Sequence, residues 1–343
     1  MMPLQMPQFD IEAENRVPKY LQVANAVTDA IRTGKFCKGQ KILSINELSE
    51  QYFVSRVTVE KAYTLLRENG TIIPIRGKGF YINKVDIKGH LNILLLFNKI
   101  SNYKKQIYQG FIDKLGSNAT VDLKIHHFNV DIFRSQVLNH LNDYHYFVIM
   151  PHFYDNWEEA VNIIKQIPPE KLLILDKQIP NSKIKCAVVF QDFENDIIDA
   201  LDQGLDLLDK YSKIYFVHST CVPYPQEMVV GFKKFCMQNS LANQVISEIN
   251  SDSVVKKGDV YIVTEETDLV NLIKLCILKE LKVGQDVGII SYNETPIKEV
   301  LLGGITVIST DHDKMGRTAA ELILQNSGEK VRNPFVLIRR NSL

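Results

Sequence analysis

Side chains that could bind phosphate groups are concentrated in the first quarter of the sequence. They combine hydroxyls, cations and a glycine-flanked lysine: Ser55, Arg56, Thr58, Lys61 and Lys78. Hydroxyl and cationic groups make many of the contacts to nucleic-acid phosphates, and glycine lets a backbone approach closely. From residue 18 to residue 84 there are eleven lysines and arginines but five acidic residues, although the whole chain has 40 of each. A basic segment joined to an acidic remainder indicates a nucleic-acid-binding surface.

The sequence contains no recognisable set of catalytic or metal-binding residues. It has five scattered cysteines, namely Cys37, Cys186, Cys221, Cys236 and Cys276. They form no C-x-x-C pair, which argues against a disulfide framework and against a zinc site. His126 and His127 fall on a predicted strand, where adjacent side chains face opposite sides and cannot share a metal ion. No Walker loop, Gly-x-Ser-x-Gly elbow, His-Glu-x-x-His pair or dinucleotide fingerprint is present. We therefore expect no enzymatic activity, no metal and no cofactor.

The basic segment has the pattern of three helices followed by a hairpin. The first helix has an apolar stripe at three- and four-residue steps: Tyr20, Val23, Val27, Ala30 and Ile31. Gly34 is expected to stop this helix. Ser44, with Glu47 three residues on, has the spacing of a capping box that begins a second helix ending near Tyr52. Ser55 is expected to cap a third helix that ends at Gly70.

The third helix and the hairpin together predict a winged helix-turn-helix. The inner face of the helix is apolar: Val59, Ala62, Tyr63 and Leu66. Residues 71–76 and 80–82 are predicted as short strands around the turn Gly77-Lys78-Gly79. In such a domain the third helix enters the major groove of DNA, and the hairpin, or wing, brings Lys78 to a phosphate or to the minor groove.

This segment resembles the DNA-binding domain of the GntR family. The motifs that carry the resemblance are Tyr20-Leu21-Gln22-Val23, Gly39-Gln40-Lys41-Ile42-Leu43-Ser44, Glu47-Leu48, Val54-Ser55-Arg56-Val57-Thr58-Val59 and Gly77-Lys78-Gly79-Phe80. The resemblance implies phosphate or base contacts from Ser44, Ser55, Arg56, Thr58 and Lys78. The full set of expected DNA-binding residues adds Asn46, Lys61, Gly77 and Gly79.

Three positions depart from the family pattern. Leu43 stands where a proline is usual, and Asn46 and Glu60 stand where arginines are usual. We expect the fold to be kept and the recognised DNA sequence to differ. Arg56 and Lys61 should then carry more of the binding.

The rest of the chain alternates between short apolar runs and amphipathic segments. The runs predicted as strands are Leu91–Phe97, Val121–His127, Tyr146–Met150, Leu172–Leu175, Lys213–Val217, Asp259–Val263, Asp286–Ile290, Ile305–Ile308 and Phe335–Arg339. The predicted helices are Tyr103–Leu115, Trp157–Ile167, Asp196–Tyr211, Gln226–Gln238, Leu269–Leu281 and Lys314–Gln325. This alternation is typical of doubly wound α/β layers, and the length fits two lobes better than one. We predict an α/β protein: an N-terminal winged helix-turn-helix followed by a two-lobed, doubly wound body.

This body resembles the effector domain of LacI/GalR-type regulators, which is similar to periplasmic sugar-binding proteins. The resemblance is carried by Val230-Gly231-Phe232, by residues 286–294, by Ile305-Thr306-Val307-Ile308, by residues 315–324 and by residues 335–342. A GntR-like head on such a body is similar to regulators of the arabinose-repressor type. The resemblance implies a repressor that responds to a small molecule, most simply a monosaccharide.

Strand ends and this resemblance together suggest the ligand contacts, because such folds bind ligands beyond the carboxyl ends of their strands. The expected contacts are Asn98, Ser101, Asn102, Phe153, Asp176, Phe190, Met228, Glu265 and Asn293. A sugar also needs flat aromatic surface, and further candidates for it are Tyr154, Trp157, Tyr224 and Tyr292. Met228 stands where the family often has an arginine that holds sugar hydroxyls. This departure favours a deoxy or otherwise less polar sugar, or a different ligand.

The expected organisation has four parts. They are an N-terminal extension (1–17), a winged-helix DNA-binding domain (18–84), a linker (85–89) and a two-lobed ligand-sensing and dimerisation domain (90–343). No signal peptide is visible and no apolar run is long enough to cross a membrane, so a cytoplasmic protein is expected. The expected partners are double-stranded operator DNA, the small-molecule effector and a second copy of the chain, with no membrane.

Other interpretations stay open at this point. A GntR-type head fused to a pyridoxal-phosphate-dependent, aminotransferase-like body would need a Schiff-base lysine and a phosphate cup, and neither pattern is visible. A body that senses a non-sugar metabolite would keep the same fold. A secreted sugar-binding protein is disfavoured by the basic head, and an all-helical sensor of fatty or organic acids is disfavoured by the strands.

Overall fold

The computed structural model of the protein describes residues 18–32, 35–84, 91–180, 184–219 and 223–343. The described residues divide into two compact units, with the division after residue 91. Four predicted features lie outside the described residues: the N-terminal extension, the linker, the helix stop at Gly34 and Cys221.

The first unit is a winged three-helix domain. Its elements are α1 (Lys19–Arg32), α2 (Ile45–Gln51), α3 (Arg56–Glu68), β1 (Ile72–Ile75) and β2 (Gly79–Ile82). The two strands pair antiparallel. The apolar stripes predicted for the helices meet in one core, which includes Val27, Leu48 and Leu66. The predicted helix-turn-helix and wing are therefore confirmed, because helical periodicity and glycine turns determine these local elements.

The second unit contains two lobes, each built on a six-stranded sheet. The strands of the N-lobe are β3 (Leu91–Phe97), β4 (Ala119–Ile125), β5 (Tyr146–Ile149), β6 (Leu172–Asp176), β7 (Ala187–Phe190) and β13 (Lys330–Arg332). The strands of the C-lobe are β8 (Lys213–Val217), β9 (Asn243–Ile246), β10 (Asp259–Val263), β11 (Gly288–Tyr292), β12 (Thr306–Thr310) and β14 (Phe335–Ile338). The spatial orders are β13-β7-β6-β5-β3-β4 and β14-β12-β11-β10-β8-β9.

Helices flank these sheets and connect their strands. They are α4 (Asn102–Leu115), α5 (Val130–Leu138), α6 (Trp157–Ile164), α7 (Phe193–Asp202), α8 (Leu205–Leu208), α9 (Glu227–Gln238), α10 (Glu266–Leu278), α11 (Pro296–Val300) and α12 (His312–Leu324). Short 3₁₀ turns lie at Gly116–Asn118, Pro169–Lys171 and Leu301–Gly303. Strands β3, β5, β6, β7 and β13 run parallel, as do β8 to β12 in the C-lobe, whereas β14 is antiparallel to β12. The predicted two-lobed α/β class is confirmed, since buried parallel strands give nearly continuous apolar runs.

The chain passes between the lobes three times. Strand β7 lies in the N-lobe, but α7, which follows it, packs on α9 and β14 of the C-lobe. Strand β12 lies in the C-lobe, but α12, which follows it, packs on α4 of the N-lobe. The third passage leads from β13 to β14. These passages are the covalent connections between the lobes.

Several details differ from the sequence prediction. The single helix predicted for residues 196–211 is two helices, because the chain turns at Gln203 and Gly204, where Leu337 packs against the glycine. His126 and His127 lie beyond the end of β4, and His127 has a φ of 51°, so the strand argument about metal binding does not apply to them. Strands β7, β9 and β13 were not predicted, because each has only three or four residues. In addition, β9 and β13 each contain two polar or charged residues.

Candidate functional site

Two of the serines expected to contact DNA cap helices: Ser44 is the N-cap of α2, and Ser55 is the N-cap of α3. The Ser44 hydroxyl accepts from the Glu47 amide at 3.3 Å, and the Glu47 carboxylate accepts from the Ser44 amide at 2.7 Å. The Ser55 hydroxyl accepts from the Thr58 amide at 3.1 Å and lies 2.8 Å from the Thr58 hydroxyl. The predicted caps are confirmed. DNA contact by these residues stays a prediction.

Helix α3 packs against the domain core on one face and is exposed on the other. Its buried Tyr63 donates to the Leu43 carbonyl at 2.6 Å and packs edge-on against Phe80 of the wing, with ring centroids 4.8 Å apart. These contacts join α3 to the segment that precedes α2 and to the hairpin. The exposed face carries two of the predicted contacts, Arg56 and Lys61, and Asn46 is exposed on α2.

The wing tip presents one lysine on a tight turn. Lys78 is exposed, and its amide donates to the Ile75 carbonyl at 2.9 Å. Gly77 and Gly79 have φ angles of 74° and 103°, values that side chains disfavour. The arrangement is suited to bringing a cation and bare backbone close to a phosphate.

In the second unit, a cleft lies where the carboxyl ends of the two sheets face each other. Its volume is about 40 Å³, which is room for about three water molecules. The N-lobe contributes Asn98, Lys104, His152, Asp176 and Gln191, and the C-lobe contributes Tyr224, Met228, Tyr292 and Asn293. The remaining lining residues are Lys99, Tyr103, Phe128, Phe193, Pro223 and Pro225.

Asp176 is the centre of the polar floor of the cleft. Its carboxylate accepts from His152 Nε2 at 2.7 Å and from Gln191 Nε2 at 2.5 Å. Burial alone would raise the pKa of Asp176, but the hydrogen bond from His152 and the nearby charge of Lys104 outweigh it and hold this pKa below its usual range. Gln191 in turn accepts from the Tyr292 hydroxyl at 3.2 Å, so this network joins the two lobes.

Lys104 is a buried cation beside this network. Its ammonium donates to Asn98 Oδ1, and burial lowers its pKa to about 7. Asn293, on the opposite lobe, is buried with a φ of 62°. Its side-chain oxygen has no hydrogen-bond partner among the described residues. A buried, unpartnered acceptor in a cleft is suited to receive a donor from a ligand.

The structure brings together four of the nine predicted ligand residues: Asn98, Asp176, Met228 and Asn293. The other five are not among the cleft-lining residues of the described chain. Ser101 caps α4, Asn102 is exposed beside it, and Glu265 accepts from the Tyr224 hydroxyl at 2.7 Å. Phe153 is buried against His126, and Phe190 packs on the N-lobe core, which also includes Phe133.

Several residues that line the cleft were not predicted from the sequence. His152 follows the end of β5, and the strand-end rule could have found it. Gln191 follows β7, which was not predicted as a strand. Lys104 gave no signal, because a lysine in the first turn of an amphipathic helix is expected to be exposed.

Two buried histidines near the cleft should make the protein sensitive to acid. Burial lowers the pKa of His126 and of His312 to about 4, whereas an unfolded histidine titrates at about 6.5. The unfolded chain therefore binds more protons between these values, and the free energy of unfolding should fall by up to ~3 kcal/mol per histidine as pH drops from about 6.5 to 4. Urea unfolding across this range measures the fall.

A variant pair tests the assignment. His126→Phe should make the fall shallower, whereas replacing the exposed His127 by glutamine should leave the slope unchanged. An equal slope in the wild type and in His126→Phe would contradict the assignment.

The fold and these surfaces define a class: a winged-helix head joined to a two-lobed body of the periplasmic-binding-protein type. Residues 19–82 match the model of the bacterial regulatory proteins of the gntR family, and residues 211–342 match a periplasmic binding protein-like domain. The chain therefore combines a gntR-family DNA-binding domain with a periplasmic-binding-protein-like domain.

Relatives with curated descriptions match the head. An uncharacterised helix-turn-helix transcriptional regulator of Bacillus subtilis, YurK, is 38% identical over 74 residues, which is 22% of this chain and 31% of that protein. A probable repressor of the fructoselysine utilization operon of Escherichia coli is 36% identical over 72 residues, 21% of this chain and 30% of that protein. The aligned region thus spans about a third of the length of these relatives.

Solved structures resemble the body in fold. The lac repressor dimer bound to operator and an anti-inducer has a TM-score of 0.60 at 15% identity, covering 74% of this chain and 94% of that one. A regulator of Alkaliphilus metalliredigens complexed with D-xylulofuranose has a TM-score of 0.56 at 15% identity, covering 73% of this chain and 98% of that one.

Among the described residues, no helix has the length and apolar character needed to cross a membrane, and no group of acidic, histidine or cysteine side chains is placed to hold a metal.

Proposed function

We propose that the chain is a transcriptional repressor that binds operator DNA through its head and releases it when a small molecule binds between the lobes. The observation that carries this proposal is the pairing of two parts in one chain. The first is the fixed helix α3, with its exposed Arg56 and Lys61. The second is the cleft between the lobes, where a hydrogen bond from Tyr292 to Gln191 joins one lobe to the other.

We propose that the effector is a monosaccharide with an apolar edge, because the lining of the cleft combines polar groups with an apolar wall. Asn98, Asp176 and Asn293 offer donors and acceptors for hydroxyls. Phe193 and Met228 form an apolar wall, which supports a deoxy or otherwise less polar sugar. The small volume of the cleft means that the lobes must separate to admit such a ligand.

Ligand control requires that the two lobe arrangements differ in affinity for the effector. A ligand that contacts both lobes favours one closure angle, and we propose that residues 85–89 pass this change to the head. The proposal includes a homodimer, because operators read by such heads are usually symmetric. Exposed apolar side chains on α10 and α11, among them Val270, Ile277, Ile297 and Val300, support the C-lobe as the dimer surface.

Replacing Arg56 by alanine should weaken operator binding about 5- to 150-fold, because one specific base or phosphate contact contributes about 1–3 kcal/mol. The operator is first selected from a random DNA library with the full-length protein, and affinity is then measured by fluorescence anisotropy at fixed salt. Arg67→Ala, which removes the same charge from the last turn of α3, is the matched control. Equal losses in both variants would argue against a specific role for Arg56.

Titrating the same complex with pentoses, hexoses and deoxysugars tests the body. A sugar that shifts the DNA affinity supports the sensor and names its ligand. DNA binding that no sugar alters would leave the head's function intact and point to a non-sugar effector.

A further inference from the structure

Helix α3 carries an unpaired carboxylate on its exposed face. Val57, Glu60, Lys61 and Thr64 are all exposed on the side opposite the buried core residues. Glu60 forms no ion pair or hydrogen bond with any residue in the part of the chain that the structure describes. Glu47 of α2, by contrast, is used in a capping box. The Glu60 carboxylate is therefore not engaged by any described residue of the head.

A carboxylate in this place is unfavourable unless DNA offers it a donor. The surface that meets DNA faces a dense row of phosphates, and an unpaired negative charge is repelled by them. Guanine and thymine present acceptors in the major groove, which also repel a carboxylate. Adenine presents an amino group beside the N7 acceptor. Cytosine presents its N4 amino group alone, so it is the base that a glutamate matches best.

The position of Glu60 lets it reach a base edge. It lies one turn after Arg56 on the same side of α3, in the half of a recognition helix that approaches the bases. Val57, which is 61% exposed, lies one turn before Lys61 on the adjoining strip of the helix. Its methyl groups give this part of the surface an apolar contact of the kind that thymine accepts.

We propose that Glu60 is a specificity-determining residue that reads a cytosine in each operator half-site by accepting a hydrogen bond from the N4 amino group. This inference rests on the proposed function, in which α3 is the recognition helix. It assigns Glu60 a role in base choice, whereas Lys61 and Lys78 act on the phosphates.

The test compares full-length wild-type protein with Glu60→Gln and with Glu68→Gln, which removes the same charge two turns further along the helix. Each protein selects its sites from a random duplex library, and anisotropy then gives the affinity for the selected site with each base at each position. The wild type should prefer cytosine at one position of the half-site by about fivefold or more. Glu60→Gln should lose this preference or shift it to adenine, because an amide both donates and accepts. Glu68→Gln should keep it.

Three outcomes would overturn the inference in distinguishable ways. If Glu60→Gln selects the same bases as the wild type, Glu60 does not read a base, although the proposed function stands. If Glu60→Gln and Glu68→Gln change base choice equally, the effect is one of net charge. If the wild type selects no sequence at all, the proposed function fails together with the inference.

Discussion

Replacing Gly316 by alanine is expected to destabilise the second unit by about 2 kcal/mol, because overpacking a close backbone contact typically costs ~1–3 kcal/mol. A Cβ at Gly316 of α12 would lie 2.1 Å from the Ile107 carbonyl oxygen and 2.8 Å from the Phe111 amide of α4. Gly110 of α4 makes a similar close approach to α12, since a Cβ added there would lie 2.5 Å from the Asp313 carbonyl oxygen. Backbone atoms cannot rotate away, so the helices must separate. Alanine's better helix propensity returns at most ~1 kcal/mol.

Urea unfolding of the full chain measures this loss. Gly328→Ala is the control, because a Cβ there meets no atom within 4 Å. Effector binding should weaken as well, since α12 begins at His312, whose ring lies 4.9 Å from that of Tyr103 in the cleft. Unchanged stability of Gly316→Ala would mean that the two helices are not packed as closely as described.

Replacing Arg332 by methionine should cost about 2 kcal/mol of stability at pH 8, because the buried Asp196 carboxylate then loses the half-exposed cation that compensates its charge. Arg332 of β13 donates to Asp196 Oδ1 at 2.6 and 3.0 Å and to Asp199 at 2.7 Å. Asp196 is 1% exposed, and its second oxygen has no partner among the described residues. The pair joins β13 of the N-lobe to α7 of the C-lobe.

The cost of this substitution should depend on pH in a defined direction. Burial raises the pKa of Asp196 to about 6, above that of an unfolded aspartate, even with Arg332 present. Without Arg332 the pKa of Asp196 rises further. The loss of stability relative to the wild type should therefore grow as pH rises through 6 and above, and it should be smaller at pH 5, where the Asp196 carboxyl binds a proton in both proteins. The double variant Arg332→Met with Asp196→Asn should recover most of the stability. No recovery would show that the charge of Asp196 is not the cause.

The head could be predicted almost completely from the sequence, because local features determine it. Helical spacing predicted the buried face of α3, which consists of Val59, Ala62, Tyr63 and Leu66. The spacing of Ser44 and Glu47 predicted the capping box of α2. The body could be predicted at the level of its lobes, since long apolar runs such as Leu91–Phe97 indicate buried strands. The prediction of one helix over residues 196–211 was wrong, because Gly204 was not recognised as a point where the helix ends.

The cleft was less accessible to sequence analysis, because its contacts join residues that are distant in the chain. His152 and Asp176 come from successive strands, and Tyr292 reaches Gln191 from the other lobe. The burial of Lys104 depends on how α4 sits over the sheet, which no local pattern records. The close contact of Gly110 with Gly316 likewise depends on the tertiary packing of helices far apart in sequence.

The three passages between the lobes set the order in which the parts of the molecule can mature during synthesis. The head needs nothing that follows Lys84, so its core can form early. The N-lobe, although it begins at β3, waits for α12 and β13 from the last tenth of the chain, after nearly all of the C-lobe has been made. A nascent chain therefore contains every element of the winged-helix domain well before it contains every element of the N-lobe. Translation that stops before residue 312 would leave a head with all of its core residues and an N-lobe that lacks α12 and β13.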